Sequence, residues 1–152
     1  MDNYKIGDSF GFIVNRLATA MRQAFEKRLE EYGLTAPQYG FLLRLFEEDG
    51  QSLSSIGNSL YCDKPTITGI AVRLEKNGFI RKVKDEKDRR IVKAVLTEKG
   101  KGLKEPLRKT AMDLNAAATM GFTTNEVKLL KTSLRRSLGN VLGQIQGGVI
   151  NV

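Results

Sequence analysis

Residues 63–78 read Asp63-Lys-Pro-Thr-Ile-Thr-Gly-Ile-Ala-Val-Arg-Leu-Glu-Lys-Asn-Gly78, and residues 79–96 continue Phe79-Ile-Arg-Lys-Val-Lys-Asp-Glu-Lys-Asp-Arg-Arg-Ile-Val-Lys-Ala-Val-Leu96. The first part has the grammar of a helix. Asp63 is a natural N-cap, Pro65 sits in the first turn, Ile67, Ile70, Ala71 and Leu74 make one apolar stripe, and Asn77-Gly78 closes it. After Gly78 the period changes. Residues 79–84 and 91–96 are rich in β-branched and aromatic side chains, as strands are, and flank a charged tip, Asp85 to Arg90. Upstream, Leu53, Ile56 and Leu60 mark a short helix begun by a serine at 52 or 54, with a brief turn near Tyr61-Cys62. Two short helices followed by a charged hairpin predict a helix-turn-helix with a wing.

Working outward, the first helix is expected to start at Asp8 as N-cap. It carries Phe10, Ile13, Leu17, Ala20, Met21, Ala24 and Phe25 at spacings of three and four and ends at Gly33. A second opens at Thr35-Ala-Pro-Gln38, a capping box, with Tyr39, Leu42, Leu43 and Phe46 as its apolar face, and stops at Asp49-Gly50. From Thr97 the chain returns to helix with Leu103, Leu107, Ala111, Leu114 and Ala118 in register, a local bend at Pro106 and an end at Gly121. Thr123-Thr-Asn-Glu126 is another capping box, opening a helix with Val127, Leu130, Leu134, Leu138, Val141 and Ile145; Gln146 to Val152 is expected to fray. Both end regions carry longer apolar stripes than a thin wing module covers, which favours a partner surface over intramolecular packing alone.

Composition excludes several functions. Histidine is absent, which removes the commonest general base and metal ligand and every Ser-His or Cys-His arrangement; nothing in the carboxylate or lysine spacing picks out a reacting pair. The chain reads as a non-enzyme without cofactor or metal. One cysteine, Cys62, forbids an intrachain disulfide and fits a reducing compartment. With no apolar run of about 18 residues and no signal-peptide pattern at the N-terminus, a cytoplasmic protein off the membrane is expected. The net charge of +8 is concentrated: residues 1–60 hold six Lys/Arg against eight Asp/Glu, residues 61–101 twelve against six. A local positive field suits an anionic polymer, since neutralising phosphates releases counterions; a solubilising surface is the ordinary alternative.

The order helix, helix, helix-turn-helix, wing, helix, helix, with Leu74-Glu-Lys-Asn-Gly78-Phe-Ile, Asp88-Arg-Arg90 and Leu96-Thr97-Glu-Lys-Gly100, resembles the MarR family of regulators across nearly the whole chain. The resemblance implies a mainly α fold with a small β-wing. It implies a single domain, 1–152, in which 8–34 and 98–145 form a helical dimerisation region and 35–97 the winged helix-turn-helix lobe. It implies a homodimer on a pseudo-palindromic operator in double-stranded DNA, most often a repressor, released when a small aromatic or anionic effector fills a crevice between the lobes.

On that resemblance the helix from Asp63 enters the major groove, with Lys64, Pro65, Thr66, Thr68, Gly69 and Arg73 as base or phosphate contacts. Gly69 stands where a larger, often basic, side chain is common, so recognition leans on Thr66, Thr68 and DNA shape. Arg90 matches the wing-tip arginine of the minor groove and Asp88 the acid that holds it, while Lys87 and Arg89 serve the backbone. Without the resemblance, each is a solvated surface charge. For an effector, Asn15, Arg16 and Tyr39 are placed at the lobe junction. Arg16 is the anion's partner there or a bridge to a carboxylate of the other subunit, and Tyr39 is otherwise a core aromatic. Cys62 lies outside the first-helix region of the peroxide-sensing members, so packing is its expected role. A sequence-independent architectural binder is the competing function, but a stacking platform needs more aromatics than Tyr61 and Phe79. A helical adaptor leaves the charged wing unexplained.

Overall fold

The computed structural model describes residues 5–146; the expected fraying of residues 147–152 falls outside them. The chain forms two compact units, residues 1–114 and 115–152. In the first, α1 (Phe10–Leu29) leads through a 3-10 turn (Glu30–Tyr32) to α2 (Ala36–Glu47), α3 (Leu53–Ser59), α4 (Lys64–Lys76), the antiparallel pair β1 (Ile80–Lys84) and β2 (Val92–Leu96), α5 (Glu98–Gly102) and the greater part of α6 (Lys104–Ala118). The second holds the end of α6, the turn at Gly121 and α7 (Thr124–Gln146), opened by Glu126 Oε2 accepting from Thr123 N at 2.7 Å. No described helix is long and apolar enough to cross a membrane.

Local chemistry sets the boundaries. Asp63 Oδ1 accepts from Thr66 N at 2.8 Å, Ser52 Oγ from Ser55 N at 3.1 Å, and Gln38 Oε1 from Thr35 N at 2.9 Å. Gly33, at φ 65°, closes the 3-10 turn after α1 and Gly78, at φ 75°, follows the end of α4, both in the left-handed conformation that glycine adopts cheaply. Three expectations are corrected. Ser9, not Asp8, caps α1, because Asp8 is taken up in a preceding 3-10 turn and Ser9 holds the extended backbone a cap needs. The apolar face of α2 includes fully buried Phe41 and Leu45, with Tyr39, Leu43 and Phe46 half-buried, since the helix is packed from more than one side. The break after Thr97 falls at Leu103 rather than at Pro106. Pro106 has no N–H to return to Gly102, so the ladder fails one turn before the proline.

The core gathers Leu29 and Leu34, Phe41, Leu42 and Leu45 of α2, Ile56 of α3, Ile67, Ile70, Ala71 and Leu74 of α4, Ile80, Ala94 and Leu96 of the sheet, and Leu107. It anchors the wing. Glu75 on α4 accepts from Lys82 N at 2.8 Å and pairs with Lys82 Nζ at 3.0 Å. Ala94 N donates to Gln51 O and Leu96 N to Asp49 Oδ1, both at 2.9 Å, tying β2 to the loop before α3. The Leu-Thr-Glu-Lys-Gly segment is a clasp: Thr97 Oγ1 donates to Gly78 O at 2.6 Å, Gly100 N donates to Thr97 Oγ1 at 3.0 Å, and Lys99 Nζ donates to Asn77 O at 2.8 Å while lying 4.6 Å from the Phe79 ring centre.

Candidate nucleic-acid interface

The buried stripe of α4 turns its other face outward. Lys64, Pro65, Thr66, Thr68 and Arg73 are exposed and Gly69 is half-buried with open space where a Cβ would stand. Two grooves flank this face. One, of about 570 Å³, runs between α3, α4 and the wing and is lined by Lys64, Thr68, Lys82 and Arg90 among others. The other, of about 390 Å³, lies against the start of α2 and takes in Pro65, Thr66, Gly69 and Arg73. The first brings α4 and the wing arginine together; Lys87 and Arg89 line neither and stand exposed at the tip. Thr68 Oγ1 donates to Lys64 O at 2.7 Å, which leaves the hydroxyl oxygen its acceptor capacity.

The wing tip is built on two aspartates. Asp85 Oδ1 accepts from the backbone of Lys87 at 2.9 Å and of Asp88 at 3.0 Å, and Asp85 Oδ2 meets Lys93 Nζ at 2.6 Å. Lys93 above all, then the two N–H groups, lower its pKa to about 2. Asp88 holds Arg90 with both oxygens: Oδ1 accepts from Arg90 Nε at 3.0 Å and Oδ2 from Nη2 at 2.9 Å, while the arginine side chain stays 91% exposed. Arg90 in turn keeps the Asp88 carboxyl below its ordinary range. Sequence reasoning missed Asp85 and Lys82. The signal for Asp85 was present, an aspartate two and three residues before N–H groups that turn back on it.

The residues expected at an effector site lie on α1 and α2. Asn15 and Arg16 are exposed on α1, with the Arg16 guanidinium 5.9 Å from the Phe12 ring centre. Tyr39 packs edge-on against Phe25 at 4.7 Å, and burial raises its pKa. A cavity of about 800 Å³ opens elsewhere, lined by Arg28, Glu31, Tyr32, Glu105, Arg108 and Asp113 among others; Arg28 Nη1 is buried without a hydrogen-bond partner among the described residues. Cys62 is half-buried, its Sγ 3.5 Å from Leu60 O. Among the described residues no group of three His, Cys, Asp or Glu could hold a metal ion.

A helix-turn-helix whose second helix shares a cationic groove with an antiparallel wing defines a winged-helix protein. Residues 34–92 match the model of the MarR family. The chain is 35% identical over 133 residues to the HTH-type transcriptional regulator TtmR of Methylorubrum extorquens, covering 88% of this chain and 67% of that one. A MarR transcriptional regulator from Methanosarcina mazei superposes with TM-score 0.78 at 31% identity, over 88% of this chain and 96% of that one. The DNA-bound structure of reduced AbfR superposes with TM-score 0.67 at 28% identity, over 87% and 91%. The chain belongs to the MarR family of transcriptional regulators and is not an enzyme.

Proposed function

We propose that the protein binds operator DNA as a homodimer, with α4 in the major groove and Arg90 in the adjacent minor groove, and represses transcription until an effector releases it. The observation that carries this reading is the groove lined by Lys64 and Thr68 of α4 together with Arg90, an arginine displayed in solvent yet held by Asp88. A preformed cation of this kind suits a narrow, strongly negative minor groove, and so an A/T-rich flank. AbfR, which the fold matches, is bound to DNA in its structure.

The dimer is supported by apolar side chains left exposed among the described residues. Phe10, Ile13 and Leu17 of α1 are 61%, 54% and 45% exposed, and Leu138, Val141 and Leu142 of α7 are 59%, 49% and 47% exposed. Two-fold symmetry then matches a pseudo-palindrome. For a small anionic or aromatic effector, the cavity lined by Arg28 and Tyr32 supplies a guanidinium nitrogen with no hydrogen-bond partner among the described residues, in a lining that also carries Glu31, Glu105 and Asp113; Asn15, Arg16 and Tyr39 line none of the three cavities described.

The test is fluorescence-anisotropy binding to DNA from upstream of the gene and to a scrambled duplex, across salt concentrations, for wild type and Arg90→Ala. We expect the upstream fragment to bind about 10³-fold tighter and Arg90→Ala to weaken it about tenfold or more. Equal binding to both duplexes, lost together as salt rises, establishes the architectural reading instead.

A further inference from the structure

Tyr61 stands in the turn between α3 and α4 with its side chain 99% exposed and a backbone φ of 53°, the one non-glycine residue with positive φ among those described. The backbone opposes folding and the ring does nothing for it. A left-handed backbone is cheap for glycine and costly for a residue carrying Cβ, and an aromatic ring left in water recovers nothing by burial. The backbone N–H of Tyr61 donates to Asn58 O at 3.3 Å, a bond that glycine would make equally well. The fold therefore does not account for a tyrosine here.

Its surroundings do. Asn58 and Cys62, on either side of Tyr61, line the groove shared with Lys64, Thr68 and Arg90, which puts Tyr61 in the segment bordering that groove at the start of α4. We propose that Tyr61 is a DNA-backbone contact: its phenol O–H donates to a phosphate oxygen flanking the bases met by α4, and its ring packs on the adjoining sugar. Tyrosine is one of the side chains that bind duplex backbones in this way, fixing register without reading sequence. The inference rests on the DNA-binding reading above and adds a residue to it.

Because such a contact is blind to sequence, it is measured on a labelled random-sequence duplex of about 24 base pairs, two helical turns, at low salt, alongside the upstream fragment. Tyr61→Phe removes only the hydroxyl; Tyr61→Gly removes the ring and relieves the backbone. We expect Tyr61→Phe to weaken both duplexes by about three- to tenfold, leaving their ratio unchanged, and Tyr61→Gly to weaken them at least as much. The Tm of Tyr61→Gly should equal or exceed that of wild type, so that lost affinity is not lost folding. Wild-type affinity in both variants, while Arg90→Ala still weakens binding, overturns the Tyr61 contact alone. A wild-type protein that binds neither duplex overturns it together with the DNA-binding reading.

Discussion

The carboxylate of Asp88 grips Arg90 two residues along the chain through both oxygens, at 3.0 and 2.9 Å, and Arg90 N donates to the same Oδ1 at 3.0 Å. The pair fixes the guanidinium while leaving it in water, so its value lies in orientation rather than stability. Asp88→Ala should therefore weaken binding to the upstream DNA by about fivefold or more, with a Tm close to wild type. An unchanged Kd in the variant would show that Arg90 finds its position without the aspartate.

Gly100 tests the clasp behind the wing. A Cβ at this position would overlap the Phe79 carbonyl oxygen, whereas one at Gly102 meets nothing within 4 Å. Gly100→Ala is expected to cost about 2–4 kcal/mol, and Gly102→Ala to be neutral or slightly stabilising. Denaturant melts of the two variants side by side make the comparison; equal midpoints would refute the close approach.

Asp85 carries a pH dependence of definite sign. Its folded pKa, about 2, lies below the ordinary 3.8, so the stability it contributes is complete above the ordinary value and is lost as pH falls from there through about 2. NMR titration of the Asp85 carboxyl should give a midpoint near 2, and Lys93→Met should move it upward, since the lysine is the leading cause of the shift. A midpoint at the ordinary value would mean that the wing turn is not held as described.

Gly69 separates folding from recognition. It lies inside α4 with free space around its missing Cβ, so Gly69→Ala should stabilise the fold by about 0.5–1 kcal/mol. If α4 seats closely in the major groove, the same methyl should weaken DNA binding by about tenfold. Opposite movements of Tm and affinity are the expected result, and a methyl without effect on affinity would place the groove floor away from residue 69.

Much of this was legible in the residues. Asp63, Thr35 with Gln38, and Asn77-Gly78 marked helix ends because capping and left-handed closure act within one turn, so neighbours in sequence are the partners that matter. The strand pair followed from β-branched and aromatic enrichment, and the Asp88–Arg90 pair, which the family resemblance implied, spans only two residues. Less local features were not legible in this way. The burial of Phe41 and Leu45 depends on what packs against α2, and the surroundings of Asn15, Arg16 and Tyr39 depend on where α1 and α2 point.

The sequence by itself determined the element order, the positive charge of residues 61–101, the absence of histidine chemistry and the identity of the wing-tip residues, because periodicity, capping and charge are properties of short stretches. Only the tertiary structure decided that Lys64, Thr68, Lys82 and Arg90 line one groove, that Gly100 must be glycine because it lies under the Phe79 carbonyl, and that Tyr61 is left exposed. These relations join residues far apart in the chain or depend on what surrounds a residue in space. They follow from how a close-packed core sets helices and strands against one another, which no local pattern encodes.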